Sequence, residues 1–538
     1  VLTRRRCPKN KNLCSTKTLE AGTTITHTKT HKHGNQNKKD GKTWEKCCLQ
    51  WFQRKPIKQE EQPVNTNQPG TTTTTHNKTT GTKVPKMGVN LTKKILDKSA
   101  EIVVMGLGYV GLPLAIAFAK AGYRTTGYDT DKSKISALIK GDIYLLEQEI
   151  RDQTPKLIKK GHLTVSDNPE VLSGKDCIMI CVPTPLTQAK TPDLSHIEEA
   201  ARLVSKNLRP GMLVVLESTT YPGTTDEVLI PILEESGLKA GEEFEVAYSP
   251  ERIDPGNREY PLHKVPKLVG GINPKSTEDA ALLYKQITEK VVKVSSPKVA
   301  EAAKIVENIY RSVNIALVNE LSMLFEAMGI NTWEVIEAAS TKPYAFQAHY
   351  PGPGVGGHCI PLDPFYLTYK AREYGFRTKF VELSGEINEN MPEHVKNLVV
   401  YSMSLAGKPL RNSKISILGV TYKENVNDTR HSPAKTLIQK LLRYGARVVI
   451  HDPYVQTLKI GEQTQLETKP LSDLKDADCV VVHTPHAVYT PEKLAPHLRE
   501  GVVIVDCKNF YDHVKRFPPR GAVYVGLGKP QPSLGDRS

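Results

Sequence analysis

The chain has 538 residues, with 73 Lys and Arg against 58 Asp and Glu and a formal charge of +15, which is length enough for several domains and a full-sized core. The charge is uneven: residues 1–86 hold 18 basic and 5 acidic residues, leaving 55 against 53 in the remainder, so the body of the chain is not built to bind nucleic acid. No run approaches the ~20 apolar residues of a membrane span, and the nine cysteines show neither a disulfide framework nor a zinc spacing, so a cytoplasmic protein without a metal is expected.

Residues 1–86 are rich in Thr, Asn, Gln and Lys, include the run Thr71 to Thr75, and lack sustained periodicity, which predicts disorder. A basic tail of this kind suits nucleic acid or an anionic surface. The first methionine, however, is Met87, just ahead of the first folded-looking segment. Translation is therefore expected to start there, with residues 1–86 as upstream sequence.

The segment EIVVMGLGYVG (101–111) predicts a strand running into GxGxxG at Gly106, Gly108 and Gly111, with Tyr109 and Val110 inside the loop. A helix, LPLAIAFAKAG, and a second strand, YRTTGYD, follow and close on Asp129. The first glycine permits a tight turn, the second close approach to a pyrophosphate, the third helix packing, and the acid can bind a ribose diol. That order points to a dinucleotide, and the acid favours NAD over NADP, although Arg124 and Lys134 stand nearby. The alternation continues through a strand over 176–185, a helix near 195–207, GMLVVLESTTYPGTT, and EVAYSPERIDPG. Strand-ending loops gather at one sheet edge, making Thr184, Thr219 and Glu251 site candidates, each equally readable as a turn or cap.

Residues 298–328 contain neither Gly nor Pro before Gly329 and predict a helix of about 46 Å. It is long enough to bridge domains and to pair with a second copy, so a homodimer or higher homo-oligomer is expected. Lys304 and Asn308 share a face at i and i+4. Such a pair is usually solvated and gains meaning if it faces Cys359. That cysteine closes the glycine-rich loop PGPGVGGHCIPLDPFYL (351–367), with Asp363 four residues on. Pro361 suits a first helical turn, whose amides and dipole would favour a thiolate; a lone cysteine is otherwise more often a small buried hydrophobe. Cys177, Cys181, Cys479 and Cys507 lie in or beside apolar runs and read as core. After about residue 409 the βαβ pattern restarts without a GxGxxG, and Lys423 and Arg430, seven apart, suit phosphates.

The ordered motifs GxGxxG with Asp129, VPTP, ESTTYPGTT, SPE, EAAKIVEN, PGPGVGGHCIPLDP and GVTYKENVNDTR resemble the UDP-glucose/UDP-mannuronate (UDP-glucose/GDP-mannose) dehydrogenase family over about residues 99–511. CVPTPLT with PDLS, and GGHCIPLDPFYL, look most like UDP-N-acetylglucosamine 6-dehydrogenases of surface-polysaccharide pathways. UDP-glucose enzymes usually differ at His358 and carry lysine in place of Leu362. The resemblance implies an α/β fold: a Rossmann NAD-binding domain (99–296), a central long-helix dimerisation region bearing the cysteine loop (297–408), and a Rossmann-like UDP-binding domain (409–538). It implies a four-electron oxidation at the sugar's 6-position, with two NAD used in turn. Cys359 would form a thiohemiacetal and then a thioester, and Lys304 and Asn308 would hold the oxyanion. Asp363, Thr219 and Glu251 would order or activate water.

The same resemblance assigns Thr184, Lys134 and Arg430 to NAD, and Lys423, Arg252 and the Gly352 to Gly357 loop, including Gly356, to the UDP-sugar. Lys304, Asn308 and Glu251 would touch the sugar as well. One departure is RIDPGN after the SPE glutamate, where related enzymes often have a further acid, so the water network would rest on Glu251 alone or recruit Asp254. UDP-N-acetylmannosamine and UDP-glucose oxidation are the nearest alternatives, and an inactive nucleotide-sugar-binding protein is the alternative of another class. For the chain's start, protein from its native source should have an intact mass matching Met87, and a product reaching well upstream would overturn that expectation.

Overall fold

The computed structural model describes residues 89–532 apart from 146, 188, 255–256, 258, 358–359, 463 and 512–518. The basic tail, Met87, His358 and Cys359 therefore lie outside the described residues.

Apolar runs of four or five residues, each followed by a turn, make the first sheet. Its strands are β1 (Glu101–Met105), β2 (Arg124–Tyr128), β3 (Leu163–Ser166), β4 (Cys177–Ile180), β5 (Leu213–Leu216), β6 (Glu245–Tyr248), β7 (Lys267–Gly271) and β8 (Val291–Lys293). They run in the order β3-β2-β1-β4-β5-β6-β7-β8, all pairs parallel except β6 with β7. Val103 of β1 lies opposite Thr126 on one side and Ile178 on the other. Side chains alternate between faces along each strand. Ile102, Val104, Met179 and Val215 accordingly pack into one core and Val103, Met105, Ile178 and Val214 into another, so both faces are covered. The chain reverses direction of growth between β1 and β4, and the crevice at such a switch point is where a dinucleotide sits.

The strand expected over 176–185 stops at Ile180, because Pro183 and Pro185 have no amide to give to a ladder. The helix after β5 begins as a π-turn, Thr225–Leu229.

The long helix is present at Pro297–Met328, with the Ser296 side chain capping its start and Gly329, at φ 71°, ending it. A second long helix not anticipated from the sequence, Lys379–Leu405, runs beside it and contains Pro392. The second sheet is wholly parallel, in the order β10-β9-β13-β14-β15. Its strands are β9 (Lys414–Leu418), β10 (Arg447–His451), β13 (Cys479–Val482), β14 (Val503–Asp506) and β15 (Val523–Gly526). The antiparallel pair β11 (Thr457–Ile460) and β12 (Thr464–Glu467) and the edge strand β15 were not foreseen. Cys177, Cys181, Cys479 and Cys507 are free and buried, as expected of core residues. Ile417 is fully buried in β9 between two neighbouring strands, and Ile417→Ala should cost about 2–5 kcal/mol; urea unfolding checks this, and an unchanged midpoint would contradict the packing.

Candidate active site

The glycine loop after β1 shows three different needs. Gly106 has φ 90°, and a Cβ there would sit 2.7 Å from the Cys181 carbonyl; one on Gly111 would collide with the Gly106 carbonyl. Gly108 faces open space, so no protein atom demands a glycine there, and close approach of a ligand pyrophosphate does. Tyr109 and Val110 complete the loop, Val110 lying just ahead of the helix Gly111–Lys120. Asp129 follows β2 directly, buried, its Oδ2 accepting the Leu107 amide at 2.8 Å and its Oδ1 the Asp131 amide at 2.9 Å. Lys134 stands 3.2 Å from Asp129. These residues fit a dinucleotide: a cradle, an anchored acid and a helix N-terminus.

Thr184 and Thr219, from the loops after β4 and β5, meet directly, the Thr184 hydroxyl donating to the Thr219 carbonyl at 2.8 Å. Thr219 thus contributes its backbone here. The neighbouring Thr220 is fully buried.

Lys304 and Asn308 are buried, 7% and 4% exposed, so the solvated reading of that pair fails. They lie inside because the Asp363 helix (Asp363–Glu373) packs on the long helix. The Asn308 side-chain amide donates to Asp363 Oδ2 at 2.5 Å. Burial pushes the Asp363 carboxyl up to about 6, against the opposing pull of Lys304 and Asn308. A carboxyl half ionised near pH 6, beside a cation and an amide donor, can take and return a proton while its neighbours hold an oxyanion.

Glu251 is engaged differently. Its Oε1 accepts the amides of Arg252 and Ile253, both at 2.6 Å. Its Oε2 lies 3.3 Å from Lys267 Nζ, which also binds Glu217 at 2.6 Å. Arg252 pairs with Glu307 at 2.7 Å and donates to the Pro266 carbonyl. Asp254 is not drawn into the Glu251 network, since its carboxylate pairs with Lys423 at 2.7 Å.

The loop 351–357 is pinned between the two long helices and the second sheet. Gly352 N–H donates to Asn319 Oδ1 at 2.9 Å, and Gly357 N–H to the Arg430 carbonyl at 3.0 Å. A Cβ on Gly352 would meet Lys508, and one on Gly356 would meet Tyr422 and His431. Arg430 is clamped by Asp428 and lies 4.9 Å over the Tyr109 ring, whose hydroxyl donates to Asn427 at 3.3 Å. The dinucleotide loop therefore touches the second Rossmann-like unit. The sequence reading missed Glu217, Lys267, Thr220, Asn319 and Lys508. A lysine at the head of the apolar strand KLVGG and a glutamate ending LVVLE were the available signals.

A dinucleotide crevice, a second nucleotide-type sheet and a buried acid-amide-lysine group at one end of the long helix define a dinucleotide-dependent dehydrogenase. Family profiles agree: residues 100–288 match the NAD-binding domain, 298–390 the central domain and 416–513 the UDP-binding domain of the UDP-glucose/GDP-mannose dehydrogenase family. The chain belongs to that family and is an NAD-using UDP-sugar dehydrogenase. It is 35% identical over 433 residues to a UDP-N-acetyl-D-mannosamine dehydrogenase of Pyrococcus horikoshii, covering 80% of this chain and 99% of that one. It is 38% identical over 361 residues to a UDP-N-acetyl-D-glucosamine 6-dehydrogenase of Pseudomonas aeruginosa, covering 66% and 84%. Among solved structures, UDP-D-ManNAc dehydrogenase from Pyrococcus horikoshii superposes with a TM-score of 0.72 at 34% identity, over 80% of this chain and 99% of that one. Among the described residues, no helix is long and apolar enough to cross a membrane and no group of side chains could hold a metal.

The raised Asp363 sets a pH dependence. Its ionised form, the one able to accept a proton, is lost as pH falls through about 6. The profile of kcat should therefore rise with an apparent pKa near 6, and Asp363→Asn should remove that limb and slow turnover by about 100-fold or more. A wild-type rate that stays flat down to pH 5 would overturn the assignment.

Proposed function

We propose that the chain oxidises a UDP-N-acetylhexosamine, UDP-N-acetylglucosamine in preference, at its 6-position to the uronic acid, supplying a surface-polysaccharide precursor from the cytoplasm. The observation that carries the chemistry is the buried Lys304–Asn308–Asp363 group, with Asp363 four residues beyond Cys359 in sequence. NAD, held by Gly106, Gly108, Tyr109, Val110, Gly111, Asp129, Lys134, Thr184, Thr219 and Arg430, supplies the hydride acceptor for both oxidations.

Asp363 takes the proton of the 6-hydroxyl, through water, as the alcohol becomes an aldehyde. The Cys359 thiolate then adds to the aldehyde carbon, and Lys304 and Asn308 hold the resulting oxyanion. Loss of the second hydride leaves a thioester. Water activated by Asp363, with Glu251 as a fixed negative neighbour, cleaves it, releasing carboxylate and returning the thiol. Arg252, Lys423 and the Gly352–Gly357 loop hold the UDP-sugar. For Lys423 to reach a phosphate, the Asp254 carboxylate must give way.

The preference for an N-acetylated sugar is supported by relatives named for both N-acetylhexosamine substrates and by His358 and Leu362. Domain limits of 99–296, 297–408 and 409–538 belong to the same reading. So does a homodimer through the long helix, supported by the exposed Val306, Tyr310, Leu317, Leu324 and Met328 along it.

Each of UDP-N-acetylglucosamine, UDP-N-acetylmannosamine and UDP-glucose, incubated with NAD, decides the substrate: two NADH per sugar are expected with the first. Turnover of only another sugar would replace the substrate, and turnover of none would sink the reading. Cys359→Ser should stop acid formation while Cys177→Ser leaves it running.

A further inference from the structure

Lys267 opens β7 with its ammonium inside the protein, 9% exposed. Two carboxylates share it: Glu217, which follows β5, at 2.6 Å, and Glu251, on the loop after β6, at 3.3 Å. The Tyr284 hydroxyl donates to the other oxygen of Glu217, and the Tyr284 ring lies 5.2 Å from the ammonium. Burial alone would push the lysine down, but the two carboxylates outweigh it and hold it charged. Burial raises Glu217.

A buried cation between two anions leaves one net negative charge, which is costly unless the geometry is kept. On Glu251 the consequence is specific. Oε1 accepts two backbone amides and Oε2 faces Lys267, so all three neighbours hold the side chain in one orientation. Glu251 is thereby an anchored carboxylate.

We propose that Lys267 is a positioning residue for the oxidation: its ammonium, shared between Glu217 and Glu251, fixes the Glu251 carboxylate at the catalytic edge of the first sheet. This rests on the role given to Glu251 above. Removing Lys267 alone would leave the buried Glu217 and the part-buried Glu251 without their shared cation, at a cost to folding, so the test is Glu217→Gln combined with Lys267→Met, which keeps the net charge and strips the cation from Glu251.

The folded double variant, verified by thermal melting, should lose about tenfold or more in kcat with KM for NAD and UDP-sugar within about twofold. Lys267→Arg should restore most of that loss, and Glu217→Gln alone, which leaves the Lys267–Glu251 pair, should lose much less than Glu251→Gln. A folded double variant with wild-type kcat, or a Glu217→Gln variant as slow as Glu251→Gln, would overturn the proposal. Glu251→Gln, run alongside, separates the two readings: full activity there sinks the role of Glu251 itself. A slow Glu251→Gln beside a fast double variant sinks only that of Lys267.

Discussion

The structure hangs on one requirement: the polar groups buried along the long helix Pro297–Met328 must each find a partner. A surface helix normally buries its apolar stripe. Here the inward face carries Glu301, Lys304, Asn308, Ser312, Asn319 and Ser322, all buried, while Val306, Tyr310, Leu317, Leu324 and Met328 face outward. An unpaired polar group at such depth would cost about 1–3 kcal/mol. The partners therefore dictate what packs where. Glu301 accepts the Gly223 and Thr225 amides and fixes the loop after β5. Asn308 holds Asp363, and Asn319 holds both Asn388 of the neighbouring long helix and the amide of Gly352. One helix thus registers the first sheet, the Asp363 carboxyl and the glycine loop against each other.

The carboxylates around this helix have been given separate tasks by their surroundings. Asp363 is buried with one amide donor and a cation nearby, which leaves its proton movable near neutrality. Glu251 is held by two amides and Lys267, and Glu301, whose carboxyl burial also pushes up, by the Gly223 and Thr225 amides. Environments that differ this way let groups of one chemical type act as base and as fixed charge in the same site.

The two sheets repeat a device as well as a topology. Asp129, just beyond β2, accepts the amide of the loop after β1, and Asp452, just beyond β10, accepts the Val420 amide after β9 at 2.7 Å. The further partners differ: Lys134 stands beside Asp129, whereas buried His486 lies 3.0 Å from Asp452. The first carboxylate keeps an approachable cation at its side, and the second is sealed into the core by an imidazole. The same strand-end geometry therefore suits a dinucleotide at one sheet and a different ligand at the other.

Much of this was written in local pattern. The strand-glycine-helix-strand-acid order around Asp129, the uninterrupted 298–328 helix and the restarted strands after residue 409 are short-range features, so a linear reading located them, with β4 overextended past Ile180 because its prolines were discounted. Side-chain partnerships were not local. The meeting of Asn308 with Asp363 spans 55 residues and that of Lys267 with Glu217 spans 50, distances over which periodicity carries no information. By itself the sequence determined the elements with strong local signals and the residue types at their ends, because turns, caps and apolar spacing act over a few residues. Only the tertiary structure decided which carboxyl keeps a movable proton and which is pinned, because that depends on burial and on charges brought together from separate strands.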